Sequence, residues 1–241
     1  MAAKSGTEPL SSKLKKFWQS EEQIPSAVRE IVSVLVTVGV IVAILFLICG
    51  TWPAIVTIES ESMVPHMNVG DLVLVMAGDR LGPLQSMVQG NASGYEKFSM
   101  PGDVIIYRPN GNTDLHPIIH RALYWVEAGP TNITYREMDT VTGKVVIRQY
   151  IAPHAGYITK GDNNPVIDQT GFGNNYRGLG SPIQPVKKEW IIGKAVYAVP
   201  LVGYLPLNIV PVIIIVVFFM ILHELYLRHR NRDEPVSPRK K

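Results

Sequence analysis

The sequence predicts a mainly β protein, an antiparallel β domain flanked by two transmembrane α-helices. Three observations lead there. Residues 31–58 and 195–222 carry no Asp, Glu, Lys or Arg, and each stretch exceeds the roughly 20 residues an α-helix needs to cross a bilayer core. Between them, short runs rich in Val, Ile, Thr and Tyr alternate with Gly, Asn, Asp and Pro, the pattern of strands joined by turns. Outside them, basic residues crowd both flanks: Lys4, Lys13, Lys15, Lys16 and Arg29 on one side, and Arg228, Arg230, Arg232, Arg239, Lys240 and Lys241 on the other.

With 241 residues and 46% hydrophobic content, the chain has room for one domain of ordinary size plus membrane segments. The positive-inside rule puts both basic flanks in the cytoplasm and the domain between the spans on the far side. The expected organisation is a cytoplasmic segment 1–30, a first span 31–52, an extracytoplasmic β domain 53–203, a second span 204–227 and a basic cytoplasmic tail 228–241. The first span is too long for the roughly 7–15-residue core of a cleavable signal peptide, and no small-x-small pattern follows it. Cys49, the only cysteine, lies inside that span and forms no internal disulfide. In the second, Pro211 falls where the first helical turn lacks a donor need, and residues 212–220 are apolar on every face. The basic tails have no aromatic interleaving or binding motif, which argues for lipid contact and against nucleic acid.

Strands are predicted at 72–76, 103–107, 117–125, 133–138, 145–150, 157–160 and 190–199, forming an antiparallel sheet that is barrel-like or folded over on itself. Residues 77–101 and 171–185 read as long loops. Asn91 and Asn132 head glycosylation-type triplets that the topology places outside.

The chemistry-bearing residues begin just past the first span. An extended run from 54 to 62 puts Val56, Ile58, Ser60 and Ser62 on one face, with the two serine Cβ atoms about 7 Å apart. His120 sits in a β-branched run and has the type of side chain suited to a general base near neutral pH. His116 with His120 suggests zinc only on a helix. Here Pro117 and two isoleucines favour strand, where the pair stand about 13 Å apart. Gly-Asp occurs at Gly70-Asp71, Gly102-Asp103 and Gly161-Asp162; the first two read as turns leading into strands. The third follows a strand and is succeeded by Asp168, so Asp162 or Asp168 can fix an imidazole tautomer. Asn163 and Asn164 read as turn residues.

Taken in order, Ser60-x-Ser62-Met63-x-Pro65 with Gly70-Asp71, Gly102-Asp103-Val104-Ile105, Ile119-His120-Arg121, Thr159-Lys160-Gly161-Asp162-Asn163-Asn164 with Asp168, and Ile192-Gly193-Lys194-Ala195 resemble the archaeal and endoplasmic-reticulum branch of the type I signal peptidases. The resemblance covers most of the chain from the first span to Val199. It implies that Ser62 is the nucleophile, that His120 stands where bacterial relatives carry a lysine base, that Asp168 completes the triad and that Asp162 supports activity. It also implies an oxyanion hole from the Ser60 hydroxyl and the Ser62 backbone N–H. Val56, Ile58 and Met63 are candidates to line the substrate site. Two positions depart from the family pattern, Glu61 where glycine is common and Val64 where glutamate is frequent.

The implied activity is removal of signal peptides from preproteins through an acyl-enzyme, with no metal or organic cofactor. The implied partners are preproteins, the bilayer and the translocation machinery, at an archaeal cell membrane or the endoplasmic reticulum. A narrow-specificity relative acting on pilin-like precursors shares every motif. A catalytically silent, signal-sequence-binding subunit is a further reading, against which the full Ser, His and Asp set argues.

Overall fold

A computed structural model describes residues 23–139, 142–171 and 179–232, together with Pro9, Ser11, Ser12, Lys15 and Gln19. Most of the expected cytoplasmic segment, and the tail beyond 232, lie outside the described residues. The chain divides into two units, 1–50 and 51–241. The first contributes helix α1, Gln23–Cys49, and the second ends in helix α5, Ile209–Arg232. Within them, Val28–Cys49 and Ile209–Leu227 are long and apolar enough to cross a membrane. A one-turn helix α4, Tyr204–Leu207, precedes α5, and Pro211 is the third residue of α5, where its missing N–H costs little.

Strands β1 (Ile55–Thr57), β2 (Leu72–Met76), β5 (Val104–Tyr107), β6 (Ile118–Val126), β9 (Gly156–Lys160) and β10 (Ile191–Val199) form one six-stranded sheet in the order β1-β2-β10-β5-β6-β9. Every pairing in it is antiparallel. Two small ribbons join it, β3 (Glu96–Lys97) with β4 (Met100–Pro101), and β7 (Gly129–Met138) with β8 (Val145–Ala152). Central β5 is buried along its whole length, which explains its unbroken apolar run. Its alternation divides the core in two: Val104 and Ile106 pack with Ile58, Met63, Met67, Val73 and Val75. Ile105 and Tyr107 pack with Ile118, Ala122, Tyr157, Ile183 and Val186.

Two expectations are corrected. Residues 77–101 are not simply a loop, for they hold helix α2, Met87–Ser93, and the β3–β4 ribbon. Ser86 caps α2 reciprocally with Gln89, satisfying two donors that the helix start leaves open. The extended run to Ser62 also fails: β1 stops at Thr57, and Glu61–Met63 is a 3-10 turn. There Val64 N–H donates to Glu61 O, while the N–H groups of His66 and Met67 both reach Met63 O. Local turn bonds thus replace the strand ladder.

Gly102 has φ +79°, and a Cβ there would lie 2.4 Å from the Met87 backbone nitrogen. Its turn introduces Asp103, a fully buried carboxylate that accepts from Gln85 N–H and Tyr95 O–H, with Lys194 Nζ 3.9 Å away. Burial, then the bond to Asp103 and its charge, raise the Tyr95 phenol, which keeps it a donor. Gly102→Ala combines left-handed strain with a backbone collision and is expected to cost about 2 kcal/mol or more, read as a lower thermal unfolding midpoint.

Candidate active site

Strand register places the site's side chains. In β6, His120 pairs with Ile105 of β5, Ile118 pairs with Tyr107, and Ala122 pairs with Thr159 of β9. Opposed residues share a face, so Tyr107, His120 and Thr159 all lie on one face of three adjacent strands. Arg121, the next residue, takes the other.

On the first face, His120 is buried, with 4% of its surface exposed. Its Nδ1 is 2.7 Å from Asp168 Oδ2, and its Nε2 is 3.1 Å from Ser62 Oγ. An ionised carboxylate only accepts, so Nδ1 carries the proton and Nε2 presents its lone pair to the Ser62 hydroxyl. Asp168 opens the short helix α3, Asp168–Gly171, and is buried. Its Oδ2 also accepts from Tyr107 O–H at 2.8 Å and Thr159 O–H at 2.6 Å.

On the second face, Arg121 is fully buried and donates to Asp162 twice, Nε to Oδ1 at 2.8 Å and Nη2 to Oδ2 at 2.7 Å. Its Nη1 meets the carbonyls of Lys97, Met100, Pro101 and Gly102. His66 Nδ1 lies 3.0 Å from Asp162 Oδ2. Asp162 therefore fastens the segment after Ser62 to the strand that carries His120. Its bonds run to Arg121 and His66, and none reaches His120 among the described residues.

The Ser62 turn is held from the β9 side. Asn163 N–H donates to Ser62 O at 2.8 Å, and Asn163 Nδ2 donates to Glu61 O at 3.1 Å. Gly161 passes so close that a Cβ would sit 2.6 Å from Ser62 O and 2.9 Å from His120 Nε2. Ser60 Oγ is 3.2 Å from Ser62 Oγ, brought there by the 3-10 turn rather than by strand alternation. Glu61, between the two serines, is exposed to solvent.

A cleft of about 380 Å³ opens beside these groups, lined among others by Val56, Ser60, Ser62, Ile119, His120 and His116. It follows β1, which pairs only with β2, leaving one strand edge open. Val56 lines the cleft. Ile58 and Met63 do not: at 1% and 0% exposure they are core residues packed with Val73 and Val104. Within 58–63 it is Glu59, Ser60 and Ser62 that line the cleft. No group of three or more metal-ligating side chains occurs among the described residues, and His116 precedes β6 in a loop.

Sequence reasoning missed His66, Tyr107, Thr159 and the role of Asn163. Thr159 and Asn163 at least flank the Gly161-Asp162 pair already singled out. Nothing local marks Tyr107 or His66.

A serine hydroxyl, an imidazole and a buried carboxylate in one hydrogen-bonded line is the arrangement of a serine hydrolase site. No protein-family model matches the chain. It is 31% identical over 158 residues to the signal peptidase complex catalytic subunit SEC11 of Schizophyllum commune, a match covering 65% of each chain. That similarity supports the endoplasmic-reticulum type of the signal peptidase I family. The match spans 65% of the relative's length.

Proposed function

We propose that this protein is a membrane-anchored serine endopeptidase that removes signal peptides from preproteins. The observation that carries the reading is the Ser62–His120–Asp168 line, with 3.1 Å and 2.7 Å links, opening into a cleft beside an unpaired strand edge. Ser62 Oγ attacks the scissile carbonyl while His120 Nε2 takes its proton, and Asp168 stabilises the imidazolium that forms. His120 then protonates the amine of the departing mature chain. It next activates the water that releases the signal fragment from the acyl-enzyme.

The Ser60 hydroxyl and the Ser62 backbone N–H receive the developing oxyanion, a contribution of roughly 3–4 kcal/mol per donor in comparable sites. Substrate lies extended along the open edge of β1 and gains main-chain hydrogen bonds there. Val56 and Ile119 help shape shallow apolar pockets for small side chains before the cut. Residues 31–52 and 204–227 anchor the domain 53–203 on the extracytoplasmic side, with both basic flanks in the cytoplasm. The relative's name as a subunit of a signal peptidase complex extends here to work within an assembly at the endoplasmic reticulum membrane, close to the translocation machinery.

The test is full-length protein in detergent with a preprotein substrate, products mapped by mass spectrometry. Wild type is expected to cut once, after a small residue, and Ser62→Ala to be slower by about 10³-fold or more. Cleavage by Ser62→Ala at the wild-type rate would overturn the assignment.

A further inference from the structure

We infer that Tyr107 and Thr159 are positioning residues that set how readily His120 takes up a proton, through the Asp168 oxygen they share with it. The inference rests on the triad proposed above and adds two residues to it. Asp168 Oδ2 lies 2.8 Å from Tyr107 Oη, 2.6 Å from Thr159 Oγ1 and 2.7 Å from His120 Nδ1. Asp168 Oδ1 is buried and has no hydrogen-bond partner among the described residues. Every donor to this carboxylate thus converges on one atom.

Proton bookkeeping favours both hydroxyls as donors. Gln169 Nε2 donates to Thr159 Oγ1 at 3.3 Å, which leaves the single Thr159 proton directed at Asp168. Tyr107 Oη is 3.1 Å from Thr159 Oγ1, but its shorter approach is to the carboxylate. Each hydroxyl stabilises the charged carboxylate and withdraws part of its negative charge from the imidazole. Remove one, and the carboxylate holds a protonated His120 more tightly.

The ionisable neighbours of this pair are few. From β5 it is Tyr107, and from α3 Asp168 itself. Arg121 turns to the opposite face and pairs with Asp162, which in turn meets His66. Glu59 and His116 line the same cleft. Nothing else charged is hydrogen-bonded to His120 or Asp168 among the described residues. The two hydroxyls are therefore the direct means by which the fold tunes this acid.

The experiment is a histidine NMR titration of the full chain in detergent, with His120→Gln used to assign the His120 signal among the six histidines. In Tyr107→Phe and in Thr159→Val the midpoint of His120 protonation is expected to rise by about 0.5–1 pH unit. Thr159→Ser, which keeps the hydroxyl, should restore the wild-type midpoint. The acid limb of kcat/KM should move upward by the same amount, with KM unchanged. Midpoints in both variants within about 0.2 unit of wild type would overturn the inference. Should Tyr107→Phe fail to fold, the near-isosteric Thr159→Val decides it. Because the titration needs no turnover, failure of the peptidase reading registers separately, as absent Ser62-dependent cleavage with the titration shift still present.

Discussion

His120→Ala is expected to slow preprotein cleavage by about 10³–10⁴-fold with little change in KM. Among the described residues the imidazole alone is hydrogen-bonded to both Ser62 Oγ and a buried carboxylate, so under the proposed mechanism its loss removes the proton acceptor for attack and the proton donor for the leaving amine together. Substrate contacts along β1 and the cleft wall remain, and kcat should carry the loss. A second signature is non-additivity. The Ser62→Ala/His120→Ala double variant should be no slower than either single variant, because residues that act as one unit fail as one. Independent, multiplying losses measured on the purified protein would mean the two side chains do not share a step.

Arg121→Met is expected to destabilise the β domain by about 3–5 kcal/mol, the usual cost of removing one partner from a buried ion pair. Asp162 is only 2% exposed; without the guanidinium its charge is left with His66 alone. The same change strips the donor shared by the carbonyls of Lys97, Met100, Pro101 and Gly102. For a domain of this size the loss corresponds to a fall of roughly 10 °C in thermal midpoint. Arg121→Met combined with Asp162→Asn should recover part of it, since the stranded charge is then gone. An unchanged midpoint in the single variant would remove Arg121 from its place as the anchor of this network.

Much of the fold was legible because its strands are short, β-branched and punctuated. The run 103–107 became β5 and 190–199 became β10, with ends moved by one residue. Helix α2 escaped because seven residues show less than two full periods of a helix. Its capping box at Ser86 and Gln89 was nevertheless a readable start signal. The placement of Ser60 beside Ser62 was foreseen for an incorrect reason: a 3-10 turn, not an extended run, makes the approach. That same turn carries Met63 into the core, while Ile58, bonded to Gly70 and Asp71 just past β1, is buried there as well.

Of the candidate site, Ser62, His120 and Asp168 were visible because each stands in a motif with its own local pattern. Which of Asp162 and Asp168 meets His120 was not visible, since it depends on the face each strand residue takes. His120 and Arg121 face opposite ways, and one carboxylate goes to each. Tyr107, Thr159 and His66 gain their significance only from neighbours 9 to 96 positions away, and no window along the chain contains that information.

The sheet order has β1 at one edge and β9 at the other, yet the segments following these two strands meet where Asn163 N–H reaches Ser62 O. The segments beyond the two outermost strands of the sheet therefore meet at Ser62. A chain still emerging from the ribosome, or one that has built only part of the sheet, holds Ser62 and His120 without the clamp from beyond β9 and without Asp168. The hydrogen-bonded line of Ser62, His120 and Asp168 therefore needs both edges of the sheet in place.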